Sequence, residues 1–169
     1  AGETLVVAAA TGPVGSMVGQ LAKQAGLHTV GIAGGADKCT LATEKFGFDI
    51  CLDHRAYADA NALRKDLALA CPDGIDIYFE NVGGKSFEAV LLLLNMNSRI
   101  TRCGLVSQYG NMDNRDAAEV WMEVGQSVFD KKNCGVHPLA VGNFVAEHQD
   151  TFLAQMADWL RDDKVKYLE

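Results

Sequence analysis

Short apolar runs alternate with longer amphipathic stretches along almost the whole chain, and that rhythm leaves few folds open. Strand-like runs occur at Leu5–Ala8, His28–Ala33, Asp49–Asp53, Ile75–Glu80, Ser98–Val106 and Cys134–Val141. Between and after them, residues Pro13–Ala25, Asp37–Phe46, Ala58–Ala70, Lys85–Leu94, Arg115–Phe129 and Glu147–Leu160 repeat apolar side chains at helical spacing. Pro13 suits the first position of a helix and Gly26 suits a stop, while Cys71-Pro-Asp-Gly74 reads as a turn. Pro138 reduces part of the last run to an edge or a bulge, and residues 164–169 form an extended end. Strands separated by helices predict a parallel sheet covered on both faces. Six strands in two βαβαβ halves predict a doubly wound Rossmann α/β fold with strand order 3-2-1-4-5-6. Ligands of such a sheet bind beyond the carboxyl ends of strands one and four, where the order reverses.

The turn after the first strand reads Ala10-x-Gly12-x-x-Gly15, a dinucleotide loop in which the first glycine is alanine. Gly12 lets the backbone approach a pyrophosphate, and Gly15 lets the helix pack close to the sheet. The amides that open the helix at Pro13 then face the anion, aided by the helix dipole. Only the tightness of the turn is at stake at Ala10. The alternative, a small-residue strand–helix junction without a ligand, is disfavoured by the strand before the loop and the helix after it.

The end of the second strand selects among nucleotides. An NAD site places an acid there for the ribose hydroxyls, but Ala33-Gly34-Gly35 holds none, and Lys38 follows within a turn. A 2′-phosphate carries about two negative charges and needs space and a cation, which the glycines and Lys38 supply. Asp37 is expected to cap the helix that starts there. NADP(H) is therefore expected over NAD, with a solvated helix lysine as the alternative reading of Lys38.

The 169-residue length fits one domain with a sizeable core, and 49% apolar with 22% charged residues is globular composition. A net charge of −7 without a basic run argues against nucleic acid. Five scattered cysteines, without C-x-x-C or zinc-ligand spacing, read as reduced thiols of a cytoplasmic protein that holds no metal. No apolar run is long enough to span a membrane. The opening "GETLVV", without an initiator methionine, suggests a start inside a longer polypeptide.

The blocks "AATGPVGSMVGQLAK", "GIAGGADKC", "FGFD", "CPDGIDIYFENVGGK", "SRITRCGLVSQY" and "KVKY" resemble the zinc-independent medium-chain dehydrogenase/reductases. The branch is that of the prostaglandin/leukotriene reductases and bacterial curcumin-type reductases. The resemblance implies that residues 1–169 are an NADP-binding Rossmann domain whose GroES-like catalytic domain is absent from this chain. It implies an enzyme that reduces the C=C bond of α,β-unsaturated ketones and aldehydes by hydride from NADPH, working as a homodimer on a small-molecule substrate. By position, Gly12, Pro13, Val14 and Gly15 would hold the pyrophosphate, and Lys38 and His54 would meet the 2′-phosphate. Asn81 would reach the cofactor, or else bond its own turn. Cys103, Gly104, Leu105, Val106, Ser107 and Tyr109 would wrap the nicotinamide half, with the stretch from His137 to Ala140 nearby. Tyr109 would be catalytic, its hydroxyl stabilising an enolate oxygen, although Tyr109-Gly110 departs from the usual Tyr-Asn. Alternatives are a quinone or aldehyde reductase, a non-catalytic NADP-binding module and, least, a methyltransferase, which would want the acid that the second strand lacks.

Overall fold

A computed structural model describes residues 2–107 and 116–168. Its strands are β1 (Thr4–Ala8), β2 (His28–Ala33), β3 (Ile50–Asp53), β4 (Ile75–Glu80), β5 (Leu94–Arg102) and β6 (Gly135–Pro138). Its helices are α1 (Pro13–Gln24), α2 (Ala36–Glu44), α3 (Ala60–Ala70), α4 (Gly84–Leu91), α5 (Ala117–Lys132) and α6 (Gly142–Arg161). The strands form one six-stranded sheet in the order β3-β2-β1-β4-β5-β6, with every pairing parallel, as the alternation predicts.

Side chains alternate across β1 and feed two cores. Val6 and Ala8 face a core with Leu63 and Leu67 of α3, Ala89 and Val90 of α4, and Trp121 and Phe129 of α5. Leu5 and Val7 face the opposite core with Ala22 of α1, Ala42 of α2, and Phe46 and Phe48. Both faces of the sheet are therefore covered, and the central strands read as continuous apolar runs for that reason. Helix α6 buries none of its residues. Beyond it the chain returns to α1, where Gln20 Nε2 donates to the Lys166 carbonyl at 2.9 Å and Gln20 Oε1 accepts from the Lys166 amide at 2.6 Å.

Several boundaries differ from those expected. Helix α4 ends at Leu91 rather than Leu94, and β5 begins at Leu94 rather than Ser98. The run Val90–Leu94 suits a helix stripe and a buried strand equally, and pairing of Leu94 with Ile75 across the sheet decides it. An irregularity follows in β5, where Asn97 adopts φ 60°. Helix α2 is capped by Gly35 at φ 109°, so Asp37 is not its cap. It lies in the first turn, where its charge still favours the helix dipole. Residues His54–Ala56 form a 3-10 turn, and Asp59 caps α3, its carboxylate accepting from the Ala62 amide at 2.8 Å. Helix α6 starts at Gly142, earlier than Glu147. Strand β6 stops at Pro138, short of Val141, at the edge of the sheet.

Candidate functional site

The carboxyl ends of β1, β2 and β4 surround a cleft of about 260 Å³, whose lining includes Gly12, Gly34, Lys38, His54, Arg55 and Val106. The reversal of strand order between β1 and β4 opens it, as the fold requires. The loop after β1 lines it with Ala9, Thr11 and Gly12. Ala9, not Ala10, takes the left-handed conformation at φ 54°, a cost of roughly 1–2 kcal/mol for a residue with a β-carbon. The Gly12 amide bonds the Ala9 carbonyl at 2.9 Å, closing the turn. Ala10 is fully buried, and a β-carbon at Gly31 of β2 would lie 2.7 Å from its methyl. The alanine thus fills a space left by a glycine on the neighbouring strand.

Gly15 is pressed against main-chain atoms, which cannot rotate aside. A β-carbon there would lie 2.2 Å from the Ala9 carbonyl oxygen, so only glycine lets α1 sit against the turn. Gly12 caps α1 without a side-chain bond, no acid occupies the first turn, and Pro13 opens the helix. The amides of Val14 and Gly15 have no acceptor within the helix. Uncapped amides, no local negative charge and the helix dipole fit a phosphate group.

At the far end of the cleft, β2 ends at Ala33 and its next two residues are glycines. A β-carbon on Gly34 would come within 2.9 Å of His54 Nε2 and 3.0 Å of Arg55 Nε, so the absent side chain makes room for both. The register Ala33↔Asp53 sets the β3 turn beside the β2 loop, which brings Lys38 of α2, His54 and Arg55 to one place. Arg55 has no local signal in sequence, since the pairing of two parallel strands puts it there. Asp53 is an acid bonded to this loop. Its Oδ1 accepts from the Gly35 amide at 2.7 Å and the Arg55 amide at 2.9 Å, and these bonds hold its carboxyl below the usual range. That carboxylate orders the loop. His54 is held below its usual value first by burial and then by the Lys85 charge, with Arg55 and Lys38 acting the same way against Asp53. Both effects favour the neutral ring. Two cations, an imidazole and two glycines fit a 2′-phosphate.

The other half of the crevice follows β4 and β5. Asn81 neither bonds its own turn nor points free, because its Nδ2 donates to the Ala8 carbonyl at 2.8 Å and ties β4 to β1 across the switch point. The segment after β5 is strapped along the end of β4. Amides of Cys103 and Gly104 bond the Glu80 carbonyl at 2.9 and 3.1 Å, that of Val106 bonds Asn81 at 3.2 Å, and that of Ser107 bonds Val82 at 3.0 Å. Within it, Leu105 turns its side chain into the core, whereas Val106 and Ser107 are exposed. Val82 and Val106 both line the cleft. Tyr109 lies outside the described residues. Among the described residues, no three His, Cys, Asp or Glu side chains gather as a metal site, and no helix is long and apolar enough to cross a membrane.

A family model described as zinc-binding dehydrogenase matches residues 13–131. The NADPH-dependent curcumin reductase of Escherichia coli is 47% identical over 168 residues, covering 99% of this chain and 47% of that protein. Mouse prostaglandin reductase 1 is 35% identical over 168 residues, with 98% of this chain and 47% of that protein covered. The crystal structure of CurA from Vibrio vulnificus in complex with NADPH superposes with a TM-score of 0.88 at 44% identity, across 99% of this chain and 48% of that one. The chain spans about half the length of the curated relatives it matches at full coverage. It belongs to the zinc-binding dehydrogenase family, on the medium-chain dehydrogenase/reductase branch that includes the curcumin and prostaglandin reductases.

Proposed function

We propose that this chain is the NADPH-binding part of an oxidoreductase that reduces the C=C bond of α,β-unsaturated ketones and aldehydes. The observation that carries the cofactor choice is the end of the cleft, where Lys38, His54 and Arg55 gather beside Gly34 and the lining holds no Asp or Glu. The curcumin reductase of E. coli, named as NADPH-dependent, and the CurA complex with NADPH support the same choice. Gly12 to Gly15 bind the pyrophosphate through backbone amides, and Cys103 to Ser107 with Tyr109 form the nicotinamide side. The bound cofactor supplies hydride. The Tyr109 hydroxyl donates to the substrate oxygen as negative charge develops there, an interaction strongest in the transition state. A GroES-like domain of the parent polypeptide supplies the other wall of the substrate pocket and excludes water. The reaction needs no metal, and the open edge of β6 pairs two copies into a cytoplasmic homodimer.

Titration of the 169-residue chain with NADPH and NADH tests the cofactor reading. NADPH is expected to bind at least about tenfold more tightly, the equivalent of about 1.4 kcal/mol. Equal affinities overturn it. The chain alone is expected to give no enone turnover, because near-attack geometry needs both walls. In the parent polypeptide, Tyr109→Phe is expected to lower kcat more than it changes KM. Unchanged kcat removes Tyr109 from the reaction. Metal analysis of the purified chain is expected to find no stoichiometric zinc, and one tightly held zinc per chain would overturn metal independence.

A further inference from the structure

Two cysteines meet next to the cationic end of the cleft. Cys39 lies in α2 and Cys51 in β3, and their thiols share a hydrogen bond. The fold brings them together from two sides. On α2, Cys39 stands one turn before Ala42, which is fully buried in the core that also holds Ala22, Phe46 and Phe48, so both lie on the face of the helix turned to the sheet. On β3, Cys51 packs against that same core. It pairs with Gly31 of β2, and a β-carbon at Gly31 would lie 3.1 Å from Cys51 Sγ, so the missing side chain leaves space for the sulfur. Both thiols are free and half-buried, which admits a small oxidant and hinders a large one. The other three cysteines belong to other places in the fold, Cys71 at the end of α3, Cys103 after β5 and Cys134 before β6.

The two thiols are not equivalent. Burial raises both above the usual thiol range. The bond between them lowers Cys39 and raises Cys51, so Cys51 donates its proton and Cys39 accepts it. Cys39 is therefore the sulfur that ionises, with Cys51 protonated beside it. Asp53, near both sulfurs, and Tyr57, near Cys39, are the titratable groups around the pair, and the Asp53 carboxylate opposes the thiolate. The thiolate is the form that peroxides oxidise. Because Cys39 is held up, its thiolate is scarce at pH 7 and becomes more abundant as the pH rises.

We propose that Cys39 and Cys51 are a modification site, a peroxide-sensitive dithiol that closes to a disulfide between α2 and β3. Hydrogen peroxide is the oxidant. The Cys39 sulfur attacks one peroxide oxygen, an S–O bond forms, the O–O bond breaks, and the other oxygen leaves with the former thiol proton as water. The Cys51 sulfur then attacks the Cys39 sulfur, the S–S bond forms, the S–O bond breaks, and the hydroxyl leaves with the Cys51 proton as a second water. The two thiols together lose two electrons and two protons, and one peroxide becomes two waters. The new bond ties the helix that carries Lys38 to the strand that ends at Asp53 and leads into His54 and Arg55. The chemistry of the pair does not depend on which nucleotide the cleft holds.

Thiol labelling and peptide mapping of the 169-residue chain provide the test. The reduced chain, freed of reductant, is treated with hydrogen peroxide at about pH 8.5, where more of the thiolate is present, then unfolded and labelled with N-ethylmaleimide. Two of the five thiols are expected to escape labelling, one crosslinked peptide is expected to hold Cys39 and Cys51, and dithiothreitol is expected to restore both thiols. The rate of closure is expected to rise roughly tenfold from pH 7 to pH 8, in step with the thiolate. Cys51→Ser removes the resolving thiol, and dimedone is then expected to trap Cys39 as its sulfenic acid. Cys39→Ser is expected to leave Cys51 open to labelling. Full labelling after peroxide, a crosslink through any other cysteine, a rate that does not change with pH, or oxidation of Cys51 in the Cys39→Ser chain overturns the proposal.

Discussion

Gly15→Ala is expected to destabilise the chain and abolish measurable NADPH binding together. The added β-carbon would sit 2.2 Å from the Ala9 carbonyl oxygen and 2.9 Å from its carbon. These are main-chain atoms of a turn already closed by the Gly12–Ala9 bond, so no side chain can rotate away. Helix α1 must move outward, and its first-turn amides move with it. Overpacking of this kind costs about 1–3 kcal/mol, which for a domain of this size lowers the melting temperature by roughly 2–12 °C. Gly19→Ala is the informative control. Its β-carbon would meet the Phe48 ring at 2.0 Å, on the core side of the same helix and away from the turn. That variant is expected to lose stability while holding NADPH within about threefold. Thermal denaturation with NADPH titration reads both quantities. A Gly15→Ala chain that binds NADPH normally would remove the α1 amides from the phosphate site.

Lys38→Ala/Arg55→Ala is expected to abolish the preference for NADPH over NADH. Each charge-assisted bond to a phosphate contributes about 1.5–3 kcal/mol in favourable settings. Both side chains are exposed here, and solvent screening reduces that range. About tenfold for each residue, and about a hundredfold for the pair, follows at roughly 1.4 kcal/mol per decade. NADH has no 2′-phosphate, so its affinity is expected to change by less than about threefold. Arg55→Ala alone distinguishes a phosphate ligand from a bystander, because its amide bond to Asp53 survives the change and the loop stays ordered. Parallel losses for NADPH and NADH would show that the two cations act on the shared part of the cofactor or on the fold.

Alternating strand and helix periodicities, read as two βαβαβ halves, pointed to the doubly wound sheet and to the strand order that the structure has. Strands β2 and β4 fall where their apolar runs stand, bounded by Gly26 and Gly34 in one case and by Gly74 and Gly83 in the other. The loop of Gly12 and Gly15, the missing acid after β2 and the cation at Lys38 were legible for the same reason. Each is a local pattern whose chemistry depends on a few adjacent residues. Tertiary structure decided what depends on residues far apart in the chain. The register between β2 and β3 brought Arg55 to the cleft and turned Asp53 onto the Gly35 amide. Pairing of Leu94 with Ile75 ended α4 three residues early. Packing against Gly31 explains the alanine at position 10, and Ala9 holds the left-handed conformation of the turn. Asn81 bonded Ala8 on another strand, 73 positions away, rather than its own turn. Glu80, the last residue of an apolar strand, gave no local sign that its carboxylate would be buried beneath Trp121. Parallel pairing is non-local by construction, so what it juxtaposes carries no periodicity or spacing in the chain.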